Sequence, residues 1–251
     1  MVFKRFRVAP LLFSLALIYG CTAGEFINDP KPTWEQALVC FPDSCGIMSE
    51  TRIQERLQNL SRRPVMAYMH GSGGLAPDIL SAYLPAYAQL LDAVAVAPNS
   101  QARSNWTHDK AAEFDPYRIQ DISYTLRMLR QQKWADPDNL FLMGQSAGGI
   151  AVAGFTEPGF RAAAITGFDC NRFRYEIYLP EDVPVINAQH PGDLKPRNPT
   201  LRGGTCYHAL RNRPNSEVYE IKGEPVHNGA ALPEVREKIV DFFKRNSLNK
   251  R

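Results

Sequence analysis

Ser146 lies in a glycine-rich sequence whose spacing fits a nucleophilic serine. Gly144 and Gly148 flank it in the pattern G-x-S-x-G, an apolar run at 140–143 precedes the pattern, and small residues follow it. A strand, a sharp turn and a helix in this order would hold the hydroxyl above the end of a sheet, in a turn too tight for bulky neighbours. We therefore predict an activated serine, although the pattern alone also describes an ordinary glycine-rich turn.

A second segment rich in glycine, His70-Gly71-Ser72-Gly73-Gly74, lies upstream. It ends the apolar run that begins at Val65. Glycine at such a point lets backbone amides come close to a developing oxyanion. The alternative is a turn-forming glycine cluster after a core strand. Both segments in one chain, in this order, favour acyl-transfer chemistry.

The chain resembles the α/β-hydrolases, and among them the secreted dienelactone hydrolase-like esterases, in residues 70–74, 94–100 and 144–149. The resemblance spans roughly residues 63–245. It implies an α/β fold of the α/β-hydrolase type, with a mostly parallel central sheet flanked by helices. It also implies a serine hydrolase that needs no metal or organic cofactor, and it indicates little about the substrate.

The same resemblance implies the chain order serine, acid, histidine, with the histidine in a loop after the last strand. His227 follows the predicted strand 217–222 in such a loop, so we predict that it is the general base; the alternative is a surface histidine. We expect His70 to brace the oxyanion loop. His190 follows another strand near the acid and is not the predicted base.

The acid should orient the imidazole and stabilise its cation. Asp193 is the favoured candidate, because it lies just past the predicted strand 184–189 in a Pro-Gly-Asp turn. Asp169, directly after the preceding strand, is the main alternative, and Asp182 is a third. A turn without any catalytic role would also explain the Pro-Gly-Asp sequence.

We expect the oxyanion donors to be the backbone N–H groups of Ser72 and Ala147. The loop at 99–108 is expected to border the substrate pocket, where Trp106 could pack on an acyl or aryl group and Arg103 could meet a carboxylate. Surface packing and a structural ion pair are the alternatives for these two side chains.

Apolar runs alternate with amphipathic stretches from residue 65 onward, which predicts a parallel sheet with helical crossovers. The predicted strands are 65–70, 93–97, 140–145, 162–167, 184–189 and 217–222, and the predicted helices are 77–91, 115–132 and 233–245. One domain over 63–251 follows, with 22–62 as an extension packed on it. The usual first hairpin is not evident, which leaves open a sheet trimmed at its N-terminal strands.

Four cysteines remain after Cys21, and an even number in an exported protein suggests two disulfides. Only four residues separate Cys40 from Cys45, so this pair is favoured, and Cys170–Cys206 follows by elimination. Four buried free thiols are the alternative. The spacing does not fit a zinc site.

Residues 1–21 resemble a bacterial lipoprotein signal peptide, with a basic start, a short apolar stretch and Cys21 as the lipidated residue. Cleavage near Ala23 and an uncut membrane anchor are the alternatives. Three of the 29 basic residues lie in this segment, which leaves 26 basic and 26 acidic residues. This balance gives no reason to expect nucleic acid as a partner. We expect an exported envelope protein, held at a membrane if Cys21 is lipidated.

The predicted activity is hydrolysis of small-molecule or polymer-borne carboxylic esters through an acyl-enzyme. A serine peptidase is the alternative within enzymes, because amide and ester hydrolysis share this machinery. A non-catalytic envelope lipoprotein that uses the fold as a binding scaffold is the alternative outside enzymes. The sequence gives no prediction of oligomeric state.

Overall fold

A computed structural model gives the structure of the protein, and it describes residues 29–103, 115–168, 170, 176–193 and 205–248. The helices in these ranges are α1 Lys31–Glu35, α2 Thr51–Gln58, α3 Pro77–Ser81, α4 Leu84–Leu91, α5 Asp115–Gln131, α6 Ala147–Gly154, α7 Tyr207–Leu210 and α8 Pro233–Arg245. The strands are β1 Leu38–Cys40, β2 Cys45–Ile47, β3 Arg63–Met69, β4 Val94–Ala97, β5 Ala135–Gln145, β6 Ala162–Thr166, β7 Val185–Gln189 and β8 Glu217–Glu220.

The strands form one sheet in the order β2-β1-β4-β3-β5-β6-β7-β8. The strands from β3 to β8 pair in parallel, whereas β1 is antiparallel to both β2 and β4. The mostly parallel sheet predicted from the sequence is thus confirmed. Because parallel strands end at the same edge, the loops after β3, β5, β7 and β8 lie close together.

The sheet is not trimmed at its N-terminal edge, because a hairpin of β1 and β2 completes it. Cys40 lies opposite Cys45 in this hairpin, and the Phe41 N–H donates to the Ser44 carbonyl across the turn. The sequence left a trimmed sheet open because each strand of this hairpin has only three residues, too few for a period of two to appear. Residues 38–47, which the sequence analysis assigned to the extension, supply two strands of the sheet.

Helices cover both faces of the sheet. The side chains of Val65 and Ala67 on β3 face the helices α2, α5 and α6, whereas those of Met66 and Tyr68 face α3, α4 and α8. Burial of alternate residues on opposite faces explains why the strand reads as a continuous apolar run. The helix predicted over 77–91 is divided in two, with Pro85 in the first turn of α4, where its missing N–H costs nothing.

Both predicted disulfides, Cys40–Cys45 and Cys170–Cys206, are present. Cys21 and the whole predicted signal peptide lie outside the described residues. Within the part of the chain that the structure describes, every helix is too short or too polar to cross a membrane.

Candidate active site

Ser146 occupies a strained turn between β5 and α6. Its backbone has φ 55° and ψ −121°, a left-handed conformation that a residue with a side chain rarely adopts. Its N–H donates to the Thr166 carbonyl at the end of β6, 2.9 Å away, and its carbonyl accepts from the Ile150 N–H in α6. The sheet and the helix therefore hold the strained residue from both sides.

The glycines of the motif are required by close backbone contacts. A Cβ on Gly144 would lie 2.3 Å from the Gly148 carbonyl oxygen. A Cβ on Gly148 would lie 1.9 Å from the Met69 carbonyl oxygen at the end of β3. Any side chain at either position would overlap backbone atoms, so the G-x-S-x-G spacing follows from how β3, β5 and α6 pack.

Ser146, His227 and Asp193 form a continuous hydrogen-bonded series. Nε2 of His227 lies 2.9 Å from Oγ of Ser146, and Nδ1 lies 2.7 Å from Oδ2 of Asp193. A carboxylate accepts, so in the neutral ring Nδ1 carries the proton and Nε2 accepts from the serine hydroxyl. The imidazole is 20% exposed and Asp193 is 4% exposed. The base is thus open on one side, whereas the carboxylate is enclosed.

Asp193 is oriented by the end of β7 and the turn that follows. The Gln189 side-chain amide donates to Oδ2 of Asp193, at 3.1 Å, and the Asp193 N–H donates to the His190 carbonyl. His190 accepts from the Gly192 N–H through Nδ1, so its Nε2–H donates to the Gly223 carbonyl, 2.9 Å away. His190 therefore ties the turn of the acid to the backbone at Gly223, in the loop after β8.

Gln145 is a site residue that the sequence analysis did not identify. It is the residue before the serine, its side chain is buried, and its amide donates to the backbone carbonyl of His227, 3.3 Å away. The serine turn and the histidine loop are thus joined directly. Its position directly before Ser146 in the G-x-S-x-G motif was a sequence signal for a role in the site. The motif accepts any residue there, so the signal did not point to glutamine.

Asn187, a buried residue of β7, connects the second disulfide to the sheet. Its side-chain oxygen accepts from the Cys206 N–H at 2.9 Å, and its amide nitrogen donates to the carbonyls of Ile165 and Phe168 at 3.2 and 3.1 Å. Cys170 follows Phe168 after one residue. The disulfide Cys170–Cys206 and Asn187 together anchor two segments to the sheet, the segment after β6 and the segment before β8.

His70 lies buried at the end of β3, where it braces the glycine-rich loop. The Ser100 N–H donates to its Nε2 at 3.2 Å, so the proton is on Nδ1, which donates to the Gly71 carbonyl at 2.8 Å. Burial, and after it the charge of Arg118, lowers the pKa of His70 to about 3. A Cβ on Gly71 would lie 3.4 Å from Cβ of Ser146, so this loop borders the serine.

Arg103 is not available to a substrate carboxylate, contrary to the expectation. Its side chain is 1% exposed and pairs with Asp121 at 2.8 Å, and it also donates to the Tyr117 carbonyl. Arg103 thus forms the structural ion pair that the sequence left as an alternative. Burial raises the pKa of Asp121 to about 6, although the charge of Arg103 favours its ionised form.

Not all of the predicted site residues belong to the described part of the chain. Trp106 and Asp169 lie outside the described residues, as does Cys21. Ala147 begins α6 directly after the serine and is buried. In the described ranges, no three His, Cys, Asp or Glu side chains are grouped so that they could hold a metal ion.

The sequence matches no protein-family model and no curated protein. Solved structures do match. The esterase Est2 from Thermogutta terrifontis, in a propionate-bound structure, is 15% identical, with a TM-score of 0.55 over 86% of this chain and 91% of that chain. The poly(3-hydroxybutyrate) depolymerase LpqC from Bordetella parapertussis is 17% identical, with a TM-score of 0.50 over 76% and 84%.

A protein assigned as a dienelactone hydrolase from Klebsiella pneumoniae is 14% identical, with a TM-score of 0.51 over 74% of this chain and 88% of that chain. A longer structure, of a protein named as a dipeptidyl aminopeptidase IV from Bacteroides ovatus, matches over one part of its length, and this chain spans 32% of it. Identities this low establish a shared fold only. Together with the sheet order and the strained serine turn after β5, these similarities lead to one structural conclusion: the chain has the α/β-hydrolase fold.

Proposed function

We propose that the protein is a serine hydrolase that cleaves carboxylic esters, with Ser146 as nucleophile, His227 as general base and Asp193 as the orienting carboxylate. The observation that carries the proposal is the unbroken hydrogen-bonded series of these three side chains, with distances of 2.9 and 2.7 Å. A serine hydroxyl is a weak nucleophile unless a neighbouring base takes its proton. The strained serine backbone adds support, since such strain persists where the surrounding structure enforces it.

The reaction would proceed in two halves. The Ser146 oxygen attacks the ester carbonyl carbon while its proton moves to Nε2 of His227, and the resulting tetrahedral oxyanion collapses when the alkoxide leaves with that proton. Water then attacks the acyl-enzyme and gives a proton to His227. The acid departs, and Ser146 regains its proton. Asp193 stays ionised throughout and stabilises the imidazolium.

The oxyanion would be held by the backbone N–H groups of Ser72 and Ala147. Ala147 is the residue after the nucleophile and begins a helix, whose free N–H groups favour negative charge. The loop of Ser72 borders the serine through Gly71. We name esters rather than amides because an ester has the better leaving group, and because Est2 and LpqC are described as an esterase and a poly(3-hydroxybutyrate) depolymerase.

We also propose that the protein works outside the cytoplasm, with residues 1–21 as its export signal and Cys21 as the lipidated residue. Two disulfides are typical of proteins from oxidising compartments. Two acyl signals give stable membrane attachment, which a lipidated Cys21 would supply. Mass spectrometry of the N-terminal peptide from the membrane fraction tests this: an unmodified N-terminus at residue 24, or an intact Met1, would contradict lipidation.

Labelling with a fluorophosphonate tests the catalytic proposal, because this probe reacts selectively with an activated serine. The purified, oxidised protein and its Ser146→Ala variant are treated in parallel and the labelled peptide is mapped. We expect labelling at Ser146 in the wild type and none in the variant, followed by turnover of p-nitrophenyl esters. A folded wild-type protein that is neither labelled nor active on esters would contradict the proposal and favour the binding-scaffold alternative.

A further inference from the structure

Arg118 is a buried cation that holds the backbone beside the serine. It lies on α5, its side chain is fully enclosed, and its guanidinium reaches the loop after β3. Nη1 donates to the His70 carbonyl at 2.5 Å, and Nη2 donates to the Gly71 carbonyl at 3.1 Å. One planar group therefore binds two consecutive carbonyls, a geometry that suits arginine and not lysine.

The direction of these carbonyls determines where the neighbouring N–H groups point. In a trans peptide the C=O and the N–H of the next residue point in opposite directions. Because the Gly71 carbonyl faces Arg118, the Ser72 N–H faces away from it. We infer that Arg118 is a positioning residue, which fixes the Ser72 N–H as an oxyanion donor. This inference rests on the proposed function, in which Ser72 has that role.

The Gly71 carbonyl is held more firmly than a usual loop carbonyl. It accepts from three donors: Nη2 of Arg118, Nδ1 of His70 at 2.8 Å and the Gly74 N–H at 3.2 Å. Arg118 supplies the charged one, and hydrogen bonds from charged donors are roughly twice as strong as neutral ones. A positive group on the carbonyl also polarises the peptide, which makes its N–H a better donor.

Burial of an arginine side chain is unfavourable if the side chain only fills space. Enclosing a charge is unfavourable unless the charge is paired and hydrogen-bonded, and apolar side chains often pack as well or better. Arg118 has partners that reduce this cost, among them two carbonyls and the nearby charge of Asp121. A cation at this place gives what an apolar residue cannot, namely a fixed and polarised peptide next to the nucleophile.

The test compares Arg118→Met and Arg118→Lys with Arg130→Met. Arg130 is a matched control, because it lies on the same helix and its guanidinium also donates to a backbone carbonyl, that of Pro158. Steady-state hydrolysis of p-nitrophenyl acetate gives kcat and KM separately, and the rate of fluorophosphonate labelling reports attack by Ser146. Thermal unfolding checks that each variant is folded at the assay temperature.

We expect Arg118→Met to lower kcat about 10- to 100-fold and to change KM less than about threefold. Oxyanion donors act in the transition state, and the loss of one donor lowers kcat about 10²–10³-fold. Labelling should slow in parallel. Arg118→Lys keeps the charge but loses the planar guanidinium that binds both carbonyls, so its kcat should lie about three- to tenfold below the wild type. Arg130→Met should keep wild-type kinetics.

Two results would overturn the inference. One is a folded Arg118→Met variant whose kcat is within about twofold of that of Arg130→Met. If Arg118→Met does not fold, the other is an Arg118→Lys variant within about twofold of the wild type. An inactive, unlabelled wild-type protein would contradict the proposed function and this inference together, whereas an active wild type with unaffected Arg118 variants contradicts the inference alone.

Discussion

The side-chain amide of Gln145 donates a hydrogen bond to the backbone carbonyl of His227, which connects the serine turn to the histidine loop. The two residues come from β5 and from the loop after β8, on opposite sides of β6 and β7 in the sheet order. The hydrogen bond from Gln145 therefore helps to hold Ser146 and His227 at their observed distance, although Gln145 takes no part in the reaction. A variant that breaks this contact should impair the reaction without removing any reacting group.

We expect Gln145→Met to lower kcat about three- to tenfold, which corresponds to the roughly 0.5–1.5 kcal/mol that a neutral hydrogen bond contributes. Methionine keeps the length of the side chain and removes the donor. Ester hydrolysis by the purified variant provides the measurement, with Gln131→Met at the end of α5 as a surface control. Wild-type kcat in Gln145→Met would show that the histidine loop is held in place without this bond.

Asp193→Asn should lower kcat on the order of 10⁴-fold, the loss known for the equivalent change in a serine protease triad. The amide keeps the shape but cannot stabilise the imidazolium. Asp169→Asn and Asp182→Asn, the alternatives that the sequence left open, should stay within about twofold of the wild type. A larger loss in Asp169→Asn than in Asp193→Asn would move the acid to position 169.

Gly148→Ala should destabilise the protein by at least about 1–3 kcal/mol, the usual cost of overpacking. The added methyl would meet the Met69 carbonyl oxygen at 1.9 Å, and backbone cannot move aside as a side chain can. Gly73→Ala is the matched control, because a Cβ there meets nothing within 4 Å. Urea unfolding compares the two, and equal free energies of unfolding would mean that β3 and α6 can separate at little cost.

The buried neutral imidazole of His70 should make stability fall at acid pH. Burial lowers its folded pKa to about 3 from the ordinary value of 6.5, so between these values the unfolded chain binds the extra proton. Stability from this group is present above about pH 6.5 and falls by about 2 kcal/mol between pH 7 and pH 5. Asp121, with a folded pKa of about 6, changes in the opposite direction over pH 4–6.

Comparison with His70→Gln isolates the histidine contribution, because Asp121 is common to both proteins. Urea unfolding at pH 7 and pH 5 gives the free energy of unfolding of each. We expect the wild type to lose about 2 kcal/mol more than the variant on going to pH 5. Parallel pH dependence in the two proteins would mean that His70 is protonated while buried.

The two disulfides should contribute unequally to stability. Cys170 and Cys206 are 36 residues apart in the chain, whereas Cys40 and Cys45 are five apart. The loss of chain entropy in the unfolded state then stabilises the fold by about 4 kcal/mol for the longer loop and about 2 kcal/mol for the shorter. Thermal unfolding of the two double serine variants measures this, and a larger loss from the Cys40–Cys45 pair would reverse the expected order.

The sequence predicted the parallel part of the fold and the serine turn well, because both depend on local pattern. Buried strands such as β3 read as apolar runs, and Gly144 and Gly148 mark a turn that admits no other residue. The hairpin of β1 and β2 was missed because strands of three residues have no visible period. The role of Arg103 was misjudged, since the sequence does not reveal that Asp121 lies beside it.

Contacts between distant segments were the part that no local pattern could supply. Arg118 lies 47 positions from Gly71, and Gln145 lies 82 positions from His227. Each reads in the sequence as an ordinary polar residue of a helix or a strand end. Only the packing of α5 against the loop after β3, and of β5 near the last loop, gives these side chains their partners.

The short strands at both sides of the sheet also affect how the protein behaves in concentrated solution. Among the described strands, β2 with three residues and β8 with four form the two edges. An edge strand with unpaired backbone groups can template a strand from another molecule, and short length and charge prevent this. Glu217, which pairs with Arg245, and Glu220, which pairs with Lys222, place charged side chains at both ends of β8. The fold thus carries its own protection against edge-to-edge aggregation.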